Sequence, residues 1–389
     1  MIGLARGSDS AEIGLKFSVR CGSSWEEISD GELSLRSGEA AADLFSTWPW
    51  FRNLARYGFE AEARHLLLVV DERTAGPLLC LPMSRWGRGP AAPYGAVFGG
   101  LSNYYSSLYG PIGKVEVQQA DVLRVAIRKL RDDHGASVID FRPLDPGAPF
   151  FREVQVALRA EGYVVGTYSC FGNWHLPVAA RSYADYEPCL PSRLRNTIRR
   201  GRKKLDAAGA WRIDVVVQPG PPLDKAIEEF TSIYTRSWKT PEPFPHFVPG
   251  LCRMAAEHGW LRLGVLYLEG RPIASQLWLV KDRQALIYKL AYDEEFSRYS
   301  AGSVLSAELM RRAIDEDQVA DVDYLTGDDA YKVDWMSHRR ERMGVLAFRR
   351  RSIQGVVALL RHRLGSWRRC WRFTRPPSRH EPASTPRSE

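Results

Sequence analysis

Tyr288-Lys289-Leu290-Ala291-Tyr292-Asp293-Glu294-Glu295-Phe296-Ser297-Arg298-Tyr299-Ser300-Ala301-Gly302-Ser303-Val304-Leu305 reads as a strand that passes through a turn into a helix. Gly302 lacks a Cβ and lets a ligand approach the backbone, Ser303 can cap, and free amides at a helix start can receive a pyrophosphate. A glycine before a helix also serves as plain punctuation, so the spacing leaves both readings open.

The next informative stretch is Asp321-Val322-Asp323-Tyr324-Leu325-Thr326-Gly327-Asp328-Asp329-Ala330-Tyr331-Lys332. Strand alternation sends Asp321, Asp323 and Leu325 to one face and Val322, Tyr324 and Thr326 to the other. Lys332 can hold an anionic substrate group, and Asp323 or Asp328 can take a proton from an amine. The same carboxylates can instead serve as turn caps and ion pairs with Arg339 to Arg342.

Working outward, the order of elements occurs twice. A helical pattern over Ala41 to Ala55 precedes a hairpin, His65 to Val70 returning as Leu78 to Met83; an aromatic stretch Tyr104 to Pro111, a helix Val115 to Asp133 and a strand Ser137 to Arg142 follow. In the second half a helix over Ile227 to Trp238 precedes the hairpin Arg262 to Leu268 and Ile273 to Val280. It is followed by Ala285 to Tyr292, a helix Ser303 to Asp315 and a strand Val319 to Thr326. This predicts a duplicated mixed α/β unit with a boundary near Ala180, each sheet having a central strand that ends near Asp140 or Asp323. Between the copies, Pro191 to Leu205 predicts a helix capped by Ser192, with Leu194, Ile198 and Leu205 on one stripe and seven basic residues around it. It is either a solvated face or a cationic wall toward a phosphorylated ligand.

The 389 residues are 44% hydrophobic and 26% charged, values that exclude collagen-like, coiled-coil and wholly disordered chains. Residues 349–389 hold eleven Arg and two Glu, +9 against a whole-chain +8, which leaves residues 1–348 at about −1 and weakens a nucleic-acid reading of the net charge. No apolar run approaches the roughly 20 residues of a membrane span, and residues 1–16 do not resemble a signal peptide. The six cysteines are scattered without a metal spacing, so no metal is expected. Gly-x-Ser-x-Gly, His-Glu-x-x-His and Walker motifs are absent, and Gly95 to Gly100 fails the dinucleotide fingerprint.

The run from Phe230 to Phe348 resembles the acetyltransferase-like domain of the CelD/BcsL type in the GNAT superfamily. The resemblance rests on Ser237-Trp238-Lys239, Gly259-Trp260-Leu261-Arg262, Gly270-Arg271-Pro272-Ile273-Ala274, Lys289 to Asp293, Tyr299 to Gly302 and Asp323 to Trp335. With the first half, residues 40–350 look like the tandem GNAT arrangement shared with Fem-type aminoacyltransferases. The resemblance implies an α/β (α+β mixed sheet) fold. Its parts are an N-terminus over 1–16, a GNAT-like domain over 17–180, a GNAT acyltransferase domain over 181–350, and a basic amphipathic helix and tail over 351–389.

It also implies N-acyl transfer from acetyl-CoA or another acyl-CoA to an amine or hydroxyl of a small-molecule or saccharide acceptor, in polysaccharide or cell-envelope metabolism. The donor phosphates map to Arg298, Ser300, Ala301, Gly302, Ser303 and Val304, although the glycine stands one place from its usual position after the arginine. Asp323 or Asp328 is the implied base, Tyr292 or Tyr331 the proton donor, and Lys289, Lys332, Gln276 and Trp238 contact substrate. A Fem-type aminoacyl-tRNA-dependent transferase is the alternative, in which Arg193 to Lys204 meet RNA phosphates; a non-catalytic accessory of polysaccharide biosynthesis is the other. Ile353, Val356, Val357, Leu360, Leu364, Trp367 and Trp371 recur at helical spacing among arginines, so residues 351–375 are expected either to lie on an anionic membrane surface or to pack on the body. The expected location is the cytoplasm or the inner face of the membrane.

Overall fold

The computed structural model describes residues 16–23, 25, 43–60, 63–86, 96–113 and 119–363. The expectations for residues 1–15 and for Ala41, Val115, Leu364, Trp367 and Trp371 lie outside them. Helix α1 (Trp48–Tyr57) starts after Thr47, whose hydroxyl accepts from the Trp50 amide, so the helix expected from Ala41 begins later. Strands β1 (Phe17–Gly22), β2 (Arg64–Glu72), β3 (Gly76–Trp86), β4 (Ala96–Gly100), β5 (Ile112–Gly113) and β6 (Ala136–Leu144) make the first half with α2 (Ala120–Asp132) and α3 (Pro149–Ala160). After β7 (Tyr163–Pro177) come α4 (Ser192–Ala208), β8 (Trp211–Val216), α5 (Pro221–Thr235) and α6 (Phe247–Glu257). The chain continues through β9 (Leu261–Leu268), β10 (Arg271–Lys281), β11 (Gln284–Tyr292), α7 (Ala301–Arg311), β12 (Asp321–Asp323), β13 (His338–Arg349) and α8 (Ile353–Arg363).

These strands join in one sheet of order β1-β2-β3-β4-β6-β13-β7-β12-β11-β10-β9-β8, with β5 on β3. The expectation of two sheets is corrected: the halves share a single, largely antiparallel sheet that is mixed, not doubly wound. Each half has a hairpin pair, β2–β3 and β9–β10, and one parallel pair, β4–β6 and β11–β12. The halves then exchange their last strands. β13 pairs with β6 of the first half, β7 pairs with β12 of the second, and β13 and β7 run antiparallel along twelve residue pairs from His338↔His175 to Arg349↔Tyr163.

Alternation on β11 places Leu286 and Ala291 in one core and Ala285 and Ile287 in the other. The first core spans both halves and takes α1, α2, α3, α5 and α6; the second takes α4 and α7. Helix α8 covers a small third cluster with Ala358 and leaves Ile353, Val356 and Leu360 exposed, so over its described length the apolar stripe faces outward.

Tyr104 to Pro111, an aromatic stretch in the sequence, is an irregular segment whose rings fill the first core, Tyr105 stacking on Phe247 at 3.7 Å. Two local readings change. The strand predicted over Val319 to Thr326 shortens to β12 because Leu325 takes φ 56°, which ends the extended run. Ser192 does not cap α4; it is the first helical residue, and Pro191 stands before it with no capping side chain.

Asp140 on β6 is buried; the Tyr168 hydroxyl donates to it at 2.7 Å and Arg142 Nε stands 3.0 Å away. Burial still lifts its carboxyl to about 6. The folded chain therefore keeps this proton longer than the unfolded chain, and the contribution to stability falls as pH rises from about 4 to 6, by roughly 2–3 kcal/mol. Urea midpoints of Asp140→Asn and the parent are expected to diverge in favour of the variant between pH 4 and pH 7; parallel midpoints would contradict the shift.

Candidate active site

The site starts at an irregularity in β11. Pairing with β10 jumps from Leu277↔Lys289 to Trp278↔Ile287, so Tyr288 is an extra, bulged residue. On its other edge β11 pairs in parallel with β12 only from Gln284↔Asp321 to Leu286↔Asp323. Beyond that the second chain turns away, the Tyr324 amide donating to Trp174 O at 2.9 Å. The strands split, and a cavity of about 170 Å³ occupies the split, between Ile287 to Leu290 on one side and Tyr324 to Thr326 on the other. Tyr104, Tyr105 and Ser107 of the first half close it, with Lys239, Asp329, Tyr331 and Lys332. The Tyr288 hydroxyl donates to Tyr105 O at 2.9 Å, and the Ser107 and Thr326 hydroxyls meet at 2.8 Å, so the cavity wall is stitched across the two halves.

Charge in the cavity is dominated by lysines. Lys289 pairs with Glu242, which also accepts from the Tyr105 hydroxyl at 2.8 Å. Burial alone would raise the Glu242 carboxyl, but Lys289 and the hydroxyls of Tyr234 and Tyr105 carry it below the usual range. Lys332 is buried; it donates to Tyr324 O, Thr326 O and Gly327 O and pairs with Asp329 at 3.1 Å. Burial holds its ammonium below the ordinary lysine value against the opposing pull of Asp329. Lys239 is lowered by burial and then by its neighbour Lys289.

The split opens toward the C-terminal end of β11, from which the chain leads directly to α7. Ser300 adopts the left-handed conformation at φ 54° and its carbonyl accepts from Ser303 and Val304. Ala301 and Gly302 lead the helix, their amides pointing away from its own ladder. A Cβ on Gly302 would stand 3.3 Å from the Tyr292 ring, which packs at 4.6 Å on the half-exposed Trp238. Helix α4 lies against this turn: Lys204 donates to Arg298 O at 2.8 Å, and a Cβ on Gly201 would come within 2.7 Å of Tyr299 O. Its basic face thus borders the start of α7.

Of the residues singled out by sequence, Lys289, Tyr331 and Lys332 line the cavity, and Tyr292, Trp238 and Arg298 to Val304 surround the neighbouring helix start. Gln276 is buried as a tie, donating to Gly302 O and Ser306 Oγ and accepting from Trp278. Asp323 and Asp328 are not among the cavity-lining residues. Asp323 is 1% exposed and accepts from Asn173, the Leu325 amide and Arg340, while Asp328 is clasped by Arg339. Both follow the ion-pair alternative. Asp329 is the carboxylate among the lining residues. Tyr104, Tyr105, Ser107, Lys239 and Glu242 were not singled out; Lys239 stands beside Trp238 in a quoted motif, but no periodicity marks it. Among the described residues no group of three or more His, Cys, Asp or Glu is arranged to hold a metal ion.

Residues 192–333 match the family described as "Acetyltransferase (GNAT) domain". A crystal structure of FemX aligns over 88% of this chain and 99% of its own, at 11% identity and a TM-score of 0.58. A conserved protein of unknown function from Bacteroides thetaiotaomicron aligns over 86% of this chain and 100% of its own, at 11% identity and a TM-score of 0.54. No curated protein matches the sequence. Residues 192–333 thus match a GNAT domain, and the fold as a whole is like that of FemX, as the sequence resemblance implied. Among the described residues no helix is long and apolar enough to cross a membrane.

Proposed function

We propose that this chain, which carries a GNAT acetyltransferase domain within a Fem-like two-unit fold, is an acyltransferase that works in the split between β11 and β12. The observation that carries the reading is the coincidence of three features at one end of β11: the bulge at Tyr288, the end of pairing with β12, and the start of α7. A carrier's phosphates would lie on the amides of Ala301 and Gly302 beside Arg298 and the basic face of α4. The carrier's acyl end would then enter the split, where β11 has an unpaired edge beyond Leu286. Main-chain amides on that edge would polarise the acyl carbonyl and hold the oxyanion that forms when an acceptor nitrogen or oxygen attacks. Asp329, facing the cavity, takes over the role of base that the sequence suggested for Asp323 or Asp328. Tyr331, which lines the same cavity, would return a proton to the leaving group.

The proposed donor is acetyl-CoA or another acyl-CoA, and the proposed acceptor a small molecule or saccharide bearing an amine or hydroxyl. The test is to incubate the full chain with labelled acetyl-CoA and longer acyl-CoAs against hexosamines, amino acids and polyamines. Transfer of label with release of free CoA is expected. Absence of CoA binding by calorimetry together with binding of aminoacyl-tRNA would replace the donor; binding of neither would leave a non-catalytic protein.

A further inference from the structure

Counting charge around the cavity gives three lysines, Lys239, Lys289 and Lys332, against two carboxylates. Glu242 takes Lys289 and Asp329 takes Lys332. Lys239 is the remainder. Its ammonium has no ion pair or hydrogen bond among the described residues and rests only on ring faces, 5.5 Å from the Trp238 centroid and 6.0 Å from that of Tyr234. The Tyr104 hydroxyl, in the same wall, is closed off from the cavity and lies beside Tyr105 and Glu242. Its neighbours are committed, Tyr105 to Glu242 and Tyr288 to Tyr105 O. One ammonium without an ion pair at the cavity wall calls for a ligand group with a single negative charge.

We propose that the cleft selects an acceptor that carries a carboxylate, seated on Lys239, so that the acceptor is an amino acid or a related amino-carboxylic compound. The inference rests on the acyl-transfer reading for the word acceptor, but not for the site itself. A phosphate monoester fits less well, because its second charge would have no partner unless Lys289 or Lys332 abandoned its own. The cation–π contacts of Lys239 hold the ammonium in place without consuming its hydrogen-bonding capacity.

The experiment uses the full chain without donor and measures binding by calorimetry for matched pairs: amino acids and their primary amides, with glucosamine and glucosamine 6-phosphate as further probes. At least one amino acid is expected to bind at least tenfold more tightly than its amide. Lys239→Met is expected to abolish that preference and Lys239→Arg to restore part of it. Thermal melts of each variant confirm that it is folded. Equal binding of acid and amide, failure of every acid to bind, an undiminished preference in Lys239→Met, or binding of the phosphosugar alone would each overturn the inference. Transfer assays with labelled acyl-CoA separate the two claims. Acid preference without transfer removes the acyltransferase reading and keeps the site, whereas transfer to neutral and acidic acceptors alike does the reverse.

Discussion

Asp323→Asn is expected to lower the stability of the folded chain by about 3–5 kcal/mol, the range found when one partner of a buried ion pair is removed. Its carboxylate accepts from Asn173 Nδ2 and the Leu325 amide, each at 2.6 Å, and from Arg340 at 2.5 Å, with Arg342 3.7 Å away. An asparagine keeps the shape but removes the charge that two guanidiniums face and turns an amide donor toward other donors. Arg342 retains Asp145 at 2.6 Å, but the Arg340 pairing is lost. Urea denaturation is the readout, with the double variant Asp323→Asn, Arg340→Met expected to recover part of the loss. Turnover per folded molecule should change little. A fall of ~10²–10⁴ in turnover with unchanged stability would instead make Asp323 a general base.

Gly302→Asp should have the opposite signature. An acidic residue in the first turn of α7 interacts favourably with the helix dipole, so the variant should fold at least as well as the parent. The new carboxylate would occupy the place of a donor phosphate. Two like charges about 4 Å apart near a protein surface repel by about 4 kcal/mol, which corresponds to roughly a thousandfold loss of donor affinity. Gly302→Ala adds only a methyl group 3.3 Å from the Tyr292 ring and should cost a few-fold. Calorimetry with CoA distinguishes them; unchanged affinity in Gly302→Asp would move the phosphate site elsewhere.

The hairpins β2–β3 and β9–β10 were legible because each is set by local information, alternation interrupted by a turn; Gly270, for example, supplies the positive φ of 75° between β9 and β10. The helix start at Gly302 was legible for the same reason, since strand, turn and helix follow one another in sequence. The exchange of β7 and β13 was not. Arg339 to Arg342 read as a charged cluster that neutralises carboxylates, which it does through Asp328 and Asp323. Nothing in its composition says that the strand carrying it lies beside β6. Tyr104 and Tyr105 showed only as part of an aromatic stretch, because aromatic residues are equally at home in a strand and in a buried loop. Lys239 and Glu242 become site residues only when α5, β11 and the Tyr104 segment are brought together, a relation that no spacing encodes.

The exchange has a consequence for the birth of the protein. On a ribosome, β6 and β7 are complete long before β13 is made, and at about 5–20 residues per second the gap between them stays open for on the order of ten seconds or more. Throughout that interval two long strand edges are without the strand that will fill the space between them, and such edges readily pair with other chains. The first half cannot reach its final form as an early-folding unit; it must be kept apart from its neighbours until residues 338–349 arrive. Nascent chains arrested between Pro177 and His338 should therefore be strong clients for chaperones that bind exposed strands, and release from them should coincide with synthesis of β13.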